Sequence, residues 1–318
     1  MERHFGNTPD ILNNIVDNVE KVIIGKRPVV ELIVTTLIAK GHILIEDLPG
    51  VGKTQLAAAL ARSFNCSYSR IQFTTDVLPS DIMGFSMYNQ HTKEFEFKKG
   101  SIMSQFVLAD EINRTSPKTQ ASLLEAMEER QVTVDGTTYP MEKPFIVIAT
   151  QNPIEYVGTF PLPEAQMDRF MIRLAIGYPT HKQEIEMLER YKNNSPLETL
   201  KPVADSEDII KLQQIAEEIH IDAKLNDYII KLVSATREHK GLLLGASPRA
   251  SINLLKMSQS RALYHGREHI LPEDITEMAV PVLSHRLRLK QELVLRGISQ
   301  QDVIRELLKT VPFPLFGK

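Results

Sequence analysis

The segment Asp47-Leu48-Pro49-Gly50-Val51-Gly52-Lys53-Thr54 carries the residue types that hold a phosphate chain, and it follows the pattern G-x-x-x-x-G-K-[ST] everywhere except its first position. In such a loop, backbone N–H groups and the N-terminus of the following helix face the phosphates. Lys53 then reaches the β and γ oxygens, and the Thr54 hydroxyl is a ligand for Mg²⁺. Asp47 stands where the pattern has glycine. Aspartate accepts left-handed backbone angles better than most residues, so the turn is expected to survive, provided that the carboxylate points away from the phosphates. The bland alternative is a glycine-rich turn with an incidental lysine. A strand-like run before the loop and a helical run after it argue against that alternative.

Two further sites complete the chemistry. The apolar run Phe106 to Ala109 ends in Asp110-Glu111, and strand ends of a parallel sheet gather on the ligand-binding edge. Asp110 is placed to hold Mg²⁺, and Glu111 to orient and polarise a water for attack on the γ-phosphate. Taken alone, two acids before Pro117 could equally be the charge at a helix N-terminus. The third site is Asn152, after the run Phe145 to Ala149, whose amide suits a position beside the γ-phosphate and the water. Asn before Pro153 is also a common turn pair, and the first two motifs favour the functional reading.

These groups need a sheet to align them. Ile43 to Ile45, Tyr68 to Phe73, Phe106 to Ala109 and Phe145 to Ala149 read as strands alternating with helical stretches, the pattern of a parallel α/β sheet. Ahead of them, Ile11 to Ala39 has helical periodicity broken at Gly25, which predicts two helices around a turn. Two inserts read as β-hairpins. One turns at Asp135-Gly136, and the other spans about 84–100, with Phe85/Met87 and Phe95/Phe97 alternating around a polar tip that fixes no turn type. After Tyr178-Pro179 no β-rich run follows, and helical spacing at Leu225, Tyr228, Ile229 and Leu232 predicts an all-α second domain. The expected division is 1–178 and 179–318, with the polar stretch 193–208 a loop in the helical part. The run His285 to Lys290 is expected to form a solvated helix face with leucines inward.

Composition narrows the function. With 37 Lys and Arg against 40 Asp and Glu the net charge is −3, so no global field draws the 318-residue chain to nucleic acid or an anionic membrane. The lysines 98 and 99 beside Phe95 and Phe97 are read as a solvated hairpin stem. One cysteine, Cys66, excludes an intrachain disulfide and a cysteine zinc cluster. No apolar run has the length of a membrane span, and a cytoplasmic location is expected.

Together these residues resemble the MoxR family of AAA+ ATPases. The carriers are Glu46 to Thr54, Gln72 to Asp76, Asp110 to Gln120, Leu123 to Gly136, Ala149 to Pro153, Leu162 to Phe170 and Gly245 to Ala250, so the likeness covers most of the chain. The resemblance implies an α/β P-loop nucleotide-binding core with two hairpin inserts, followed by a helical lid. It also implies a ring, usually of six, with ATP at subunit boundaries. By the same resemblance Lys53 and Thr54 are Walker A, Asp110 and Glu111 Walker B, and Asn152 sensor 1. Arg169 corresponds to the arginine finger that reaches the neighbour's γ-phosphate, with Arg114 a second candidate. For Arg169, a salt bridge to Asp168 or Glu164 is the structural alternative. Ile24 and Gly25 match the segment that lines the adenine.

Arg249 resembles sensor 2, and Ser247-Pro248-Arg249 also reads as a helix start with a cation where the dipole disfavours it, so an anion is expected there. The function implied is Mg²⁺-dependent ATP hydrolysis that remodels or assembles client proteins with a von Willebrand factor A domain partner. A nucleic-acid motor is the alternative, since related helicases share both inserts, and the net charge weighs against it. A small-molecule kinase would leave Asp110-Glu111, Asn152 and Arg249 redundant.

Overall fold

The computed structural model describes residues 8–153, 158–192 and 195–313. Helices α1 (Thr8–Glu20) and α2 (Arg27–Ile38) flank a turn in which Gly25 takes a φ of +67°. Strand β1 (Ile43–Glu46) enters the loop 47–52 and α3 (Lys53–Ser63) leaves it. Next come β2 (Tyr68–Gln72), the short helix α4 (Pro79–Met83) and the hairpin β3 (Gly84–Asn89) with β4 (Glu94–Lys99). After β5 (Phe106–Asp110) the chain forms α5 (Pro117–Glu129), a second hairpin of β6 (Gln131–Val134) and β7 (Thr137–Pro140), and β8 (Ile146–Gln151). The turn of that hairpin has positive φ at both Asp135 and Gly136, the two-residue geometry that matches strand twist. A short helix, α6 (Glu164–Met167), and β9 (Ile172–Leu174) close the α/β part.

The five-stranded parallel sheet runs β2-β5-β8-β1-β9. Side chains alternate between its faces as the strand period requires. Ile43, Ile45, Phe106, Leu108, Ile146 and Ile148 join one buried cluster, and Leu44, Val107, Ala109, Val147 and Ala149 the other. The sequence runs identify every strand of the sheet but β9, which has three residues and is interrupted by Arg173.

Beyond residue 178 follow α7 (His181–Arg190), α8 (Pro196–Thr199), α9 (Ser206–Glu217), α10 (Ala223–Glu238), β10 (Leu242–Leu244), α11 (Pro248–Tyr264) and α12 (Pro272–Leu283). Strand β11 (Arg288–Leu289), α13 (Gln291–Leu295) and α14 (Gln300–Thr310) complete the order. Of the expected loop at 193–208, residues 193 and 194 lie outside the described residues, and α8 forms a helical turn within the rest. One apolar cluster runs from the first face of the sheet through α1 and α2 into α9 to α12 and α14.

Two expectations for this helical part are corrected. It is not wholly α, because β10 and β11 pair antiparallel. The run 285–290 is not a solvated helix face: residues 284–286 close a 3₁₀ turn, and His285 and Arg286 are buried. Arg286 turns inward because Asp168 offers it a carboxylate at 2.7 Å, while backbone carbonyls of Asp168, Phe170, Met171 and Val282 accept its remaining N–H groups. A buried guanidinium is tolerated only with that degree of pairing.

Candidate nucleotide site

Strands β5, β8 and β1 are neighbours, and their C-terminal ends set the acid pair, Asn152 and the loop 47–52 side by side. Glu46 pairs with Gln151 and the Asp47 amide donates to the Gln151 carbonyl, so the loop begins level with Asn152. A cleft of about 360 Å³ opens there, and Pro49, Gly50, Lys53, Thr54, Asp110, Glu111 and Asn152 line it. Gly50 and Gly52 adopt φ of +82° and +89°. A Cβ on Gly50 would meet nothing within 4 Å, so the glycine is required by backbone conformation and not by packing. At the start of α3, Gly52 provides no side-chain cap and the first turn carries no acid, which leaves the helix's first N–H groups and positive dipole end for an anion.

Within the cleft each charged group has a partner. Lys53 Nζ donates to the Asp47 carbonyl at 2.6 Å. Partial burial pushes its pKa down, and the charges of Asp47, Asp110 and Glu111 oppose that shift. Asp110 Oδ2 accepts from Arg70 Nη2 at 2.6 Å, and Oδ1 accepts from the Thr150 hydroxyl at 2.7 Å. That hydroxyl in turn accepts the Glu111 amide at 2.8 Å. Glu111 takes a left-handed φ of 59°, a conformation that costs free energy in a non-glycine residue and clusters at functional sites. Its Oε2 accepts from Gln72 Nε2 at 2.8 Å and pairs with Arg114 Nε at 3.2 Å. No motif in the sequence singles out Thr150, Gln72 or Arg70 for a role here. Gln72 and Arg70 lie on β2, which only the β2–β5 pairing brings beside the acids.

A second cavity of about 240 Å³ adjoins the first, because Gly50, Gly52 and Gln55 line both. Val22, Ile23, Ile24, Val51, Pro179, Met187 and Tyr191 give it apolar walls. The Gly25 carbonyl, at its margin, accepts from Gln183 Nε2 at 3.1 Å. The pair of cavities has the form expected of a nucleotide site, one part lined by polar and charged groups of both signs and the other apolar. The hydroxyl of Thr54 and the carboxylate of Asp110 are hard oxygen donors of the kind Mg²⁺ takes, so the residues present fit that ion with a phosphate chain.

The placement of Asp47 differs in one respect from the expectation. It is not left-handed, and Gly50 and Gly52 carry the turn. Its carboxylate points away from the cleft: Oδ1 accepts the Leu48 amide, and Oδ2 accepts the amides of Ile176 and Gly177.

Arg169 and Arg249 are not brought to this cleft. Met171 donates its amide to the carbonyl of His42, the residue before β1, and Ile43 pairs with Ile172, so the segment around Arg169 lies at the opposite edge of the sheet. The four residues of β1 at ~3.3 Å each separate that edge from the loop by roughly 13 Å. Asp168 and Glu164 pair with Arg286 and Arg288, not with Arg169, whose side chain has no hydrogen-bond or ion-pair partner among the described residues. Arg249 pairs with Glu128 at 2.7 Å, so a carboxylate of this chain supplies the anion its helix start requires. Ser247 holds the N-cap position of α11, but its hydroxyl donates to Asp168 Oδ2 at 2.8 Å and does not cap the helix. Arg169 and Arg249 therefore share one neighbourhood, joined at Asp168.

Comparison with known proteins follows the same lines. The model of the ATPase family associated with various cellular activities (AAA) matches residues 42–172, and that of the AAA lid domain matches 234–307. The chain is 48% identical to the protein YeaC of Bacillus subtilis over 305 residues, covering 96% of this chain and 95% of that one. It is 40% identical to the chaperone MoxR1 of Mycobacterium tuberculosis over 312 residues, covering 95% and 82%. A solved structure of a candidate ATPase from Cytophaga hutchinsonii superposes with a TM-score of 0.90 at 39% identity, covering 97% of this chain and 96% of that one.

Proposed function

The chain belongs to the MoxR family of AAA ATPases, and from that premise we propose that it hydrolyses ATP with Mg²⁺ at a site completed by a second copy in a ring. The observation that carries this reading is the meeting of a polar cleft and an apolar pocket on the glycines of one loop. Triphosphate and base of one nucleotide fill the two parts, with Ile24 and Gly25 at the base.

On binding, Lys53 exchanges the Asp47 carbonyl for the β and γ oxygens. Thr54 and Asp110 would hold Mg²⁺, whose charge would offset the negative charge that develops on the phosphate chain. Asp110 must then release Arg70. The arginine is 45% exposed, so water can take up its N–H groups when the acid turns to the ion. Thr150 keeps Asp110 and Glu111 in register through the exchange. Glu111 leaves Gln72 and Arg114 to accept a proton from the attacking water, and Asn152 orients that water.

Arg169 and Arg249 lie at the far edge of the sheet from their own cleft, and we read both as acting on the nucleotide of an adjacent copy. The Arg249–Glu128 pair is exposed on both sides and can be exchanged for phosphate at small cost. Ring assembly, remodelling of client proteins and a partner with a von Willebrand factor A domain extend the same family reading. Among the described residues no helix is long and apolar enough to cross a membrane.

The test is phosphate release by wild type beside Glu111→Gln, with ATP affinity from calorimetry. The variant is expected to bind ATP and to lose about 10²-fold or more in turnover, the worth of a positioned base. Wild-type turnover in Glu111→Gln would remove Glu111 from the chemistry.

A further inference from the structure

Asp47, the residue that breaks the glycine pattern, bonds in two directions at once. Its carbonyl accepts Lys53 Nζ at 2.6 Å inside the cleft. Its carboxylate, 8% exposed as a residue, accepts three backbone amides: Leu48 at 2.8 Å, Ile176 at 2.7 Å and Gly177 at 2.7 Å. The last two belong to the segment by which the chain leaves β9 for the helices. That segment turns sharply, with Gly177 at a φ of +70°, and Lys26 Nζ holds the Tyr178 carbonyl at 2.9 Å. Helix α7 begins four residues after Gly177.

We propose that Asp47 is a positioning residue for the hydrolysis described above, one that makes the exit segment 176–177 respond to the state of the phosphate loop. The proposal rests on the reading of this cleft as a phosphate site. When phosphate draws Lys53 from the Asp47 carbonyl, the peptide of Asp47 is freed on one side while its carboxylate still grips Ile176 and Gly177. A shift of the loop is thereby passed to the backbone from which α7 and the rest of the helical part continue. A glycine at position 47 would suit the phosphates equally well but would leave the amides of Ile176 and Gly177 without an acceptor. Charge-assisted bonds to a carboxylate are stronger than neutral ones, and a buried amide without a partner is costly.

Hydrogen–deuterium exchange on the full chain tests this, with magnesium tripolyphosphate as the probe. A phosphate chain without a base occupies the loop and leaves the contact between Gly25 and Gln183 untouched, so a response of α7 must travel through the loop. In Asp47→Gly without ligand, the amides of Ile176 and Gly177 are expected to exchange about tenfold faster or more than in wild type. Tripolyphosphate should slow exchange across 48–54 in both proteins, and should change exchange across 180–190 in wild type alone. Asp47→Asn retains side-chain volume and one acceptor, and serves as the second variant if the glycine form does not fold. It is expected to lose most of the α7 response.

Unaltered exchange at Ile176 and Gly177 in the variants overturns the anchor, and a full α7 response in them overturns the coupling. Failure of tripolyphosphate to protect 48–54 in wild type would instead overturn the phosphate-site reading. That result is separate from the ligand-free comparison at Ile176 and Gly177, which judges the anchor by itself.

Discussion

His42 sits buried just before β1, and its two ring nitrogens have fixed roles. The Val147 amide donates to Nδ1 at 2.9 Å, and Nε2 lies 3.1 Å from the Met127 carbonyl, so Nδ1 is the acceptor and Nε2 carries the proton. A second proton would have to go on Nδ1, against an amide that already donates to it. Burial first, and the positive charge of Arg130 second, push the pKa from 6.5 down to about 3. In the unfolded chain the ring has its ordinary pKa. Between 6.5 and 3 the unfolded state therefore binds more protons than the native state, and acid favours unfolding. The stability this gives is fully present above 6.5 and is lost as pH falls towards the folded value. From about pH 7.5 to about pH 5 the loss at this one residue is about 2 kcal/mol, because the native ring stays neutral over that range while the unfolded ring protonates. Urea unfolding of wild type and His42→Gln at both pH values isolates the term, since every other titrating group is common to the two proteins. The stability advantage of wild type should narrow by about 2 kcal/mol at the lower pH. In the folded wild type, the His42 ring resonances should not titrate between about pH 5 and pH 8. A constant advantage, or a ring that titrates near its ordinary value, would refute the argument.

Two further outcomes are expected. If Arg169 acts on a neighbour's nucleotide, Arg169→Ala should lose turnover by ~10³-fold or more while binding ATP, and mixing it with Glu111→Gln should restore part of the activity, since some boundaries in a mixed ring join two intact residues. Light scattering that shows mixed rings without recovered activity would reassign the role, with Arg114 next to be tested. Arg286→Met should destabilise the fold by about 3 kcal/mol or more, because it removes the ion pair to Asp168 and the N–H groups donated to four backbone carbonyls in a site where the arginine side chain is 1% exposed. A double-mutant cycle with Asp168→Asn that gives a coupling below about 0.5 kcal/mol would show that the pair does not hold this junction together.

Asp168 is where the helical part meets the segment that leads into β9. Arg286 from the helical part grips the carbonyls of Asp168, Phe170 and Met171, and Ser247 joins the same carboxylate from the start of α11. Arg169 and Arg249 thus lie on either side of residues that meet at Asp168.

Much of this was written locally. The loop 47–54 declares itself because its pattern is a backbone shape: Gly50 and Gly52 permit the positive φ, and lysine and threonine follow at once in the helix they start. The hairpin at Asp135-Gly136 is legible for the same reason, since two neighbours set the turn. The strands behind Asp110 and Asn152 are legible because strands buried on both faces become continuous apolar runs.

What the sequence left open are pairings between distant parts. Asp47 meets amides 129 and 130 residues away, and Arg286 meets Asp168 across 118. Read by itself, the run 285–290 has the pattern of a solvated helix face, and Arg249 has that of a cation waiting for phosphate. Local preference cannot say which carboxylate another element will bring within 3 Å, because that depends on strand order and on how helices seat against the sheet. The tertiary structure alone decided that Asp47 faces the exit from β9, that Arg286 goes inside, and that Arg249 lies on Glu128 and not beside the loop 47–54.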